Sequence, residues 1–268
     1  MKTNTLYKNF FDLLDTWTNL TDSQKLELFH SQYFIINENF FNYYYFNYLD
    51  INKKQLGDRV LGIQPEHYAQ IKELCQNMPP EKIVRPVIDK CKKLLDIEHE
   101  LNIFLIIGFF TPEGISVSIE EIGEKNIVIG LERFKEFNTL EIIIAHEYGH
   151  CLFDLKSTLT TYEKFHREGL AFFFSSLIFP EKPLTKIVFM TDSDIYEIKN
   201  NIEDIKHKIF KDEFSQINLF KYSDIKLPNR FGNLASYLYI KDLSKTLSLK
   251  KIINIKNPKE QIHNWVKT

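Results

Sequence analysis

The side chains of HEYGH, residues 146–150, carry the chemistry this sequence offers. His146 and His150 are four residues apart, so on an α-helix their imidazoles share one face, one turn from each other. That spacing suits a single Zn²⁺, which takes imidazole nitrogen at about 2.0–2.1 Å in a tetrahedral shell. Glu147 stands between them with a carboxylate able to take a proton from a water on the metal. The competing reading of the pentapeptide is a buried helix with two incidental histidines. A third ligand decides between them.

The elements that position these residues are legible around them. Asn138 followed by Glu141 is a capping-box pattern, and the apolar run Leu140 to Ala145 predicts a buried helix carrying both histidines in its second half. Thr160 and Glu163 repeat the capping signal, and the helix they open runs through Glu168-Gly-Leu-Ala171 to a stop at Pro180. Glu168 falls near its middle, beside Gly169 and Ala171, whose small size lets a partner helix approach closely. A carboxylate amid Leu170 and Phe172 to Phe174 needs a partner, and a metal supplies one. Glu168 is therefore the candidate third ligand. Asp154, one turn beyond His150, is placed to hydrogen-bond a ligand imidazole, whereas His166 points about 200° away from Glu168.

HExxH followed by a glutamate in an EGLA sequence resembles the gluzincin group of zinc metallopeptidases. The segment IIIAHEYGHCLF…REGLAFFFSS is similar to the DUF2268, or YjaZ-like, family of zinc-dependent proteases, closely over about residues 126–178 and more weakly near 231–250. The resemblance implies a Zn²⁺ site of His146, His150 and Glu168, with Glu147 as general base and water as the fourth ligand. Family members often carry a bulky residue or histidine where Gly149 stands, so the packing under the metal is expected to differ here. Gluzincins commonly use a Tyr or His from a second lobe to donate to the developing oxyanion. Residues 231–247 resemble the family's C-terminal helix, and Tyr237 is the residue assigned that role, with Tyr239 second. His207, Arg230 and His263 have no comparable support.

The rest of the chain sets bounds. At 268 residues, 44% hydrophobic and 26% charged, it has the composition of a globular protein with a substantial core. A net charge of −2 gives no reason to expect nucleic acid or an anionic membrane as partner. Three widely spaced cysteines argue against a disulfide framework, and Cys151 reads as a small buried hydrophobe. With no apolar signal core at the start and Ile103 to Phe110 too short to span a bilayer, a cytoplasmic location is expected.

Residues 1–100 read as a helical region, 101–180 as a catalytic core and 181–268 as a helical C-terminal lobe. The aromatic stripe at 36, 40, 44 and 48 reads first as core and second as a wall for substrate side chains. Short β-type runs at 101–110, 114–121 and 126–131 precede the HEYGH helix, and the last reads equally as an ordinary core strand or as a sheet edge pairing with an extended peptide. The expected fold is thus α+β and zincin-like. The expected function is zinc-dependent hydrolysis of a peptide or protein substrate. Its rivals are hydrolysis of a non-peptide amide and a regulatory or binding role on a retained zincin fold.

Overall fold

Residues Leu101 to Ile106 are buried on both faces, and a run of that kind belongs in the covered interior of a parallel sheet. The computed structural model, which describes residues 1–97, 99–109, 112–155, 158–211, 219–220 and 227–267, places it there. The fold is α+β: a four-stranded sheet in the order β1-β2-β4-β3, with helices over most of the remaining chain. The strands are β1 (Lys2–Asn4), β2 (Leu101–Ile106), β3 (Gly114–Ile119) and β4 (Gly123–Gly130). β1 and β4 flank β2 in parallel, and β3 runs antiparallel to β4. Phe110 and Thr111, counted above with a strand and its turn, lie outside the described residues.

Two expectations change here. Residues 126–131 do not form an edge: β4 is paired on both sides, Ile127 lying opposite Ile103 of β2 and Ser116 of β3. The edges are β1 and β3. The three-domain division also gives way to two compact units, Met1–Ile144 and Ala145–Thr268. The sheet cannot be separated from the first hundred residues, because β1 comes from the N-terminus and the aromatic stripe packs on β2.

In the first unit the helices are α1 (Leu6–Asp15), α2 (Asp22–Phe29), the single turn α3 (Glu38–Phe41), α4 (Lys53–Leu61), α5 (Ala69–Asn77) and α6 (Glu81–Leu94). A capping box of Thr21 and Gln24 opens α2. Pro86 lies inside α6. Phe40 stacks on Phe104 of β2 at 4.1 Å, and Phe40 and Tyr44 are buried while Ile36 and Tyr48 are exposed. The stripe is therefore core over its middle. Asn126 of β4 is buried at the irregularity between Val117 and Ile119, where its amide donates to the carbonyls of Val117 and Gly123. It also accepts from Asn102 at 3.1 Å, so this buried polar pair is hydrogen-bonded rather than left bare.

The helix α7 (Leu140–Cys151) carries HEYGH, which lies wholly in the second unit. Asn138 does not cap it, because its side chain donates to Glu136; the Thr139 carbonyl accepts the first helical bonds, from Ile142 and Ile143. The second unit continues with α8 (Thr161–Ile178), the single turn α9 (Leu184–Ile187), α10 (Asp192–Asn200), α11 (Ile202–Phe210), α12 (Phe231–Leu243), α13 (Leu249–Ile253) and α14 (Pro258–Val266). On α14, Ile262 and Trp265 are buried as expected, and the Trp265 indole donates to Asp242 of α12. Among the described residues no helix is long and apolar enough to cross a membrane.

Candidate metal centre

α8 begins where its capping box requires. Thr160 accepts from the Glu163 N–H, and the Glu163 carboxylate accepts from the Thr160 N–H at 2.9 Å, which holds two of the donors a helix start leaves unpaired. This fixes the phase of the helix, and Glu168 follows with its side chain towards α7. A Cβ built on Gly149 of α7 would lie 2.8 Å from the Ala171 Cα of α8. On the other side of α8, a Cβ on Gly169 would lie within 2.6 Å of the Ser236 carbonyl carbon of α12. Two glycines therefore let α8 pass between two helices at near-contact distance. The bulky residue or histidine the resemblance allows at position 149 would not fit this packing.

The close approach makes the cluster. His146 Nε2 and His150 Nε2 are 3.1 Å apart, and Glu168 Oε2 lies 3.5 Å from the first and 3.6 Å from the second. These atoms form a nearly equilateral triangle of one carboxylate and two imidazole donors. Ligands held at about 2.0–2.1 Å in a tetrahedral shell are about 3.3–3.4 Å from one another, so the donor set and its spacing fit a zinc ion. His146, His150 and Glu168 are also the cluster of metal-type donors found among the described residues. Glu147 is buried on the same helix, near enough for its charge to act on His150.

The electrostatics fit the same reading. Burial disfavours a charge on Glu168, but the two facing imidazoles, His150 foremost, outweigh it and hold the carboxyl well below the usual range. Burial likewise opposes a charge on His150, yet the Glu168 carboxylate raises its pKa overall. The carboxylate is thus ionised and turned towards the two imidazoles. Among the described residues His146 Nδ1 is buried with no hydrogen-bond partner, and Asp154 does not supply one. The Asp154 side chain is exposed, and what it contributes is its backbone carbonyl, which accepts from Arg167 at 2.6 Å.

The remaining candidates are dispersed. Tyr237 on α12 is buried with its ring 6.2 Å from Phe173, and among the described residues its hydroxyl has no hydrogen-bond partner. Tyr239 is turned away to His166. His263 pairs with Tyr162, while His207 and Arg230 are exposed. Arg230 has a left-handed backbone, with φ of 61°. Cys151 is buried, as expected.

Sequence reasoning set His166 aside, and the structure gives it a clear structural role. Its Nε2 faces the Ile252 carbonyl at 3.1 Å and must donate, so Nδ1 is left to accept from the Tyr239 hydroxyl at 3.2 Å. One neutral imidazole thus ties α8 to α12 and α13. Burial lowers its pKa from 6.5 to about 4. The unfolded chain therefore binds a proton here between those values and the folded chain does not. Stability contributed by this group is complete above pH 6.5 and falls as pH drops towards 4, by about 3 kcal/mol in all. Urea unfolding near neutral pH and near about pH 4.5 should show His166→Gln, though less stable at neutrality, losing less on acidification than wild type. Equal losses would contradict the assignment.

Gly149 gives a second test. In Gly149→Ala the added methyl must push α8 away from α7, at a cost of about 1–3 kcal/mol. Zinc affinity should fall along with the melting temperature, because the same displacement separates Glu168 from the histidines. Unchanged affinity in a competition assay against a chelator would show that the glycine does not set the ligand spacing.

Comparison of the chain with known proteins gave no match to a family model, a curated protein or a solved structure.

Proposed function

We propose that the chain is a zinc-dependent peptidase of gluzincin type, with a zincin-like core and a site of the kind the DUF2268 family resemblance implies. The observation that carries this reading is the triangle of His146 Nε2, His150 Nε2 and Glu168 Oε2, with Glu147 buried on the histidine helix. A purely structural zinc site needs no such carboxylate, and it commonly closes its shell with a fourth protein ligand. Among the described residues three donors come together, and an ion held by them would keep a position for reactants. A strand-rich segment, the histidine helix and the glutamate helix follow one another in the chain order that a zincin core requires.

When bound, zinc supplies Lewis-acid polarisation of the scissile carbonyl and lowers the pKa of water in the site. The protein's own work is proton handling and positioning. Glu147 takes the proton of the attacking water and delivers it to the leaving amine nitrogen. Glu168 lends the negative charge that keeps the ion in place, and Gly149 and Gly169 hold that carboxylate in register. Tyr237, on the helix packed against α8 and with an unengaged hydroxyl, is the proposed donor to the developing oxyanion.

The test is cleavage of a diverse peptide library by the zinc-loaded protein, read by mass spectrometry. New termini should appear, disappear with a chelator and return when zinc is restored. A library left intact by fully loaded protein would exclude the peptidase and favour the non-peptide amide or the regulatory role.

A further inference from the structure

Beyond the metal cluster, the second unit contains a cavity of about 400 Å³ lined by residues 152–154, the first half of α8 and the segment between α13 and α14. We propose that this cavity is a subsite that binds a carboxylate of the substrate, rendering the enzyme selective for acidic peptides or for peptide C-termini. The proposal rests on the peptidase reading and adds a substrate class to it.

Three observations carry it. The first is location. Phe153 and Asp154 follow His150 by a single helical turn, Arg167 directly precedes Glu168, and the charge of Arg167 acts on His150. The lining thus adjoins the candidate ligands along two segments of the chain, starting two residues beyond His150 and including the residue before Glu168.

The second is the state of Arg167. Its guanidinium is half-buried, lies over the Phe153 ring at 4.9 Å and donates through Nη1 to the Asp154 carbonyl. A guanidinium has five N–H donors in a rigid fork, and among the described residues that carbonyl is its one hydrogen-bond acceptor. Stacking fixes the plane of the fork and partial burial strips its water, so an incoming carboxylate finds a pre-oriented bidentate partner.

The third is charge. Residues 249–259 carry Lys250, Lys251, Lys256 and Lys259 and no carboxylate, and Lys256 lines the cavity. Two acids share the lining, but one Glu163 oxygen is engaged by the Thr160 N–H and hydroxyl, and the Asp154 side chain is exposed at the rim. Neither is hydrogen-bonded to the fork. The lining cations are Arg167, on which both carboxylates act through their charge, and the exposed Lys256.

The experiment uses zinc-loaded protein and matched peptide pools, one containing Glu and Asp and the other Gln and Asn in their places, each made with a free and with an amidated C-terminus. Cleavage is measured with wild type, and binding with Glu147→Gln. The acidic or free-acid pools should be favoured about tenfold. Loss of preference on Glu-to-Gln exchange identifies a side-chain carboxylate; loss on amidation identifies the chain end. The preference should shrink in Arg167→Gln and in Lys256→Glu. The latter is an exposed substitution that keeps the test valid if the former fails to fold. Peptides cleaved with no charge preference, or with one that both variants retain, overturn the subsite and leave the peptidase standing. Pools neither bound nor cleaved overturn both.

Discussion

Glu147→Gln should retain zinc and melt close to wild type, yet lose hydrolysis by several orders of magnitude. The exchange is nearly isosteric, so the buried position keeps its volume and can keep hydrogen bonds to an amide. What disappears is the base. General acid–base catalysis alone is typically worth about 10²–10⁴-fold, and in the proposed mechanism one carboxylate serves both the attacking water and the leaving amine. The loss should fall on kcat with little change in KM, because the proton transfer occurs only on the way through the transition state. Steady-state kinetics on any peptide found to be cleaved, with metal content measured on the same samples, checks this. Full activity in a zinc-loaded variant would falsify the mechanism and make a binding or regulatory role the better account.

Glu168→Ala should abolish tight zinc binding. Two imidazoles at i and i+4 remain in this variant, but the third donor and the negative charge facing them are gone. That charge holds the His150 pKa up against the burial that pulls it down. His146→Ala and His150→Ala should fail in the same way. Asp154→Ala should leave affinity unchanged, because its side chain is exposed and hydrogen-bonds to neither imidazole. Isothermal titration with Zn²⁺ separates these cases. Wild-type affinity in Glu168→Ala would end the gluzincin assignment.

The parts of this molecule that were legible in the sequence are those set by local chemistry. The His146–His150 spacing, the Thr160–Glu163 capping box and the apolar face of α1 each depend on residues within a turn or two of one another. Their geometry follows once a helix forms. Gly169 and Ala171 were also readable as sites of close approach, although not the identity of the neighbour, which is Ser236 for one and Gly149 for the other. The illegible parts depend on pairing across long separations. Lys2–Asn4 has no strand pattern, and it is a strand because the edge of β2 is open to it. The place of β4 in the middle of the sheet follows from a parallel partner and an antiparallel one. Asn138 carried a valid capping signal, but Glu136 offered its side chain another partner, and Thr139 took the cap. Arg167 was missed because nothing in its own neighbourhood marks it. Its significance comes from the ring of Phe153 and the segment around Lys256, which the fold brings to it.

Zinc content tests the central claim most directly. Purified protein, stripped of metal, offered Zn²⁺ and dialysed, should retain about one zinc per chain by elemental analysis, with no other divalent metal at comparable occupancy. A value near zero in folded protein, or a wild-type value that persists in Glu168→Ala, would contradict it.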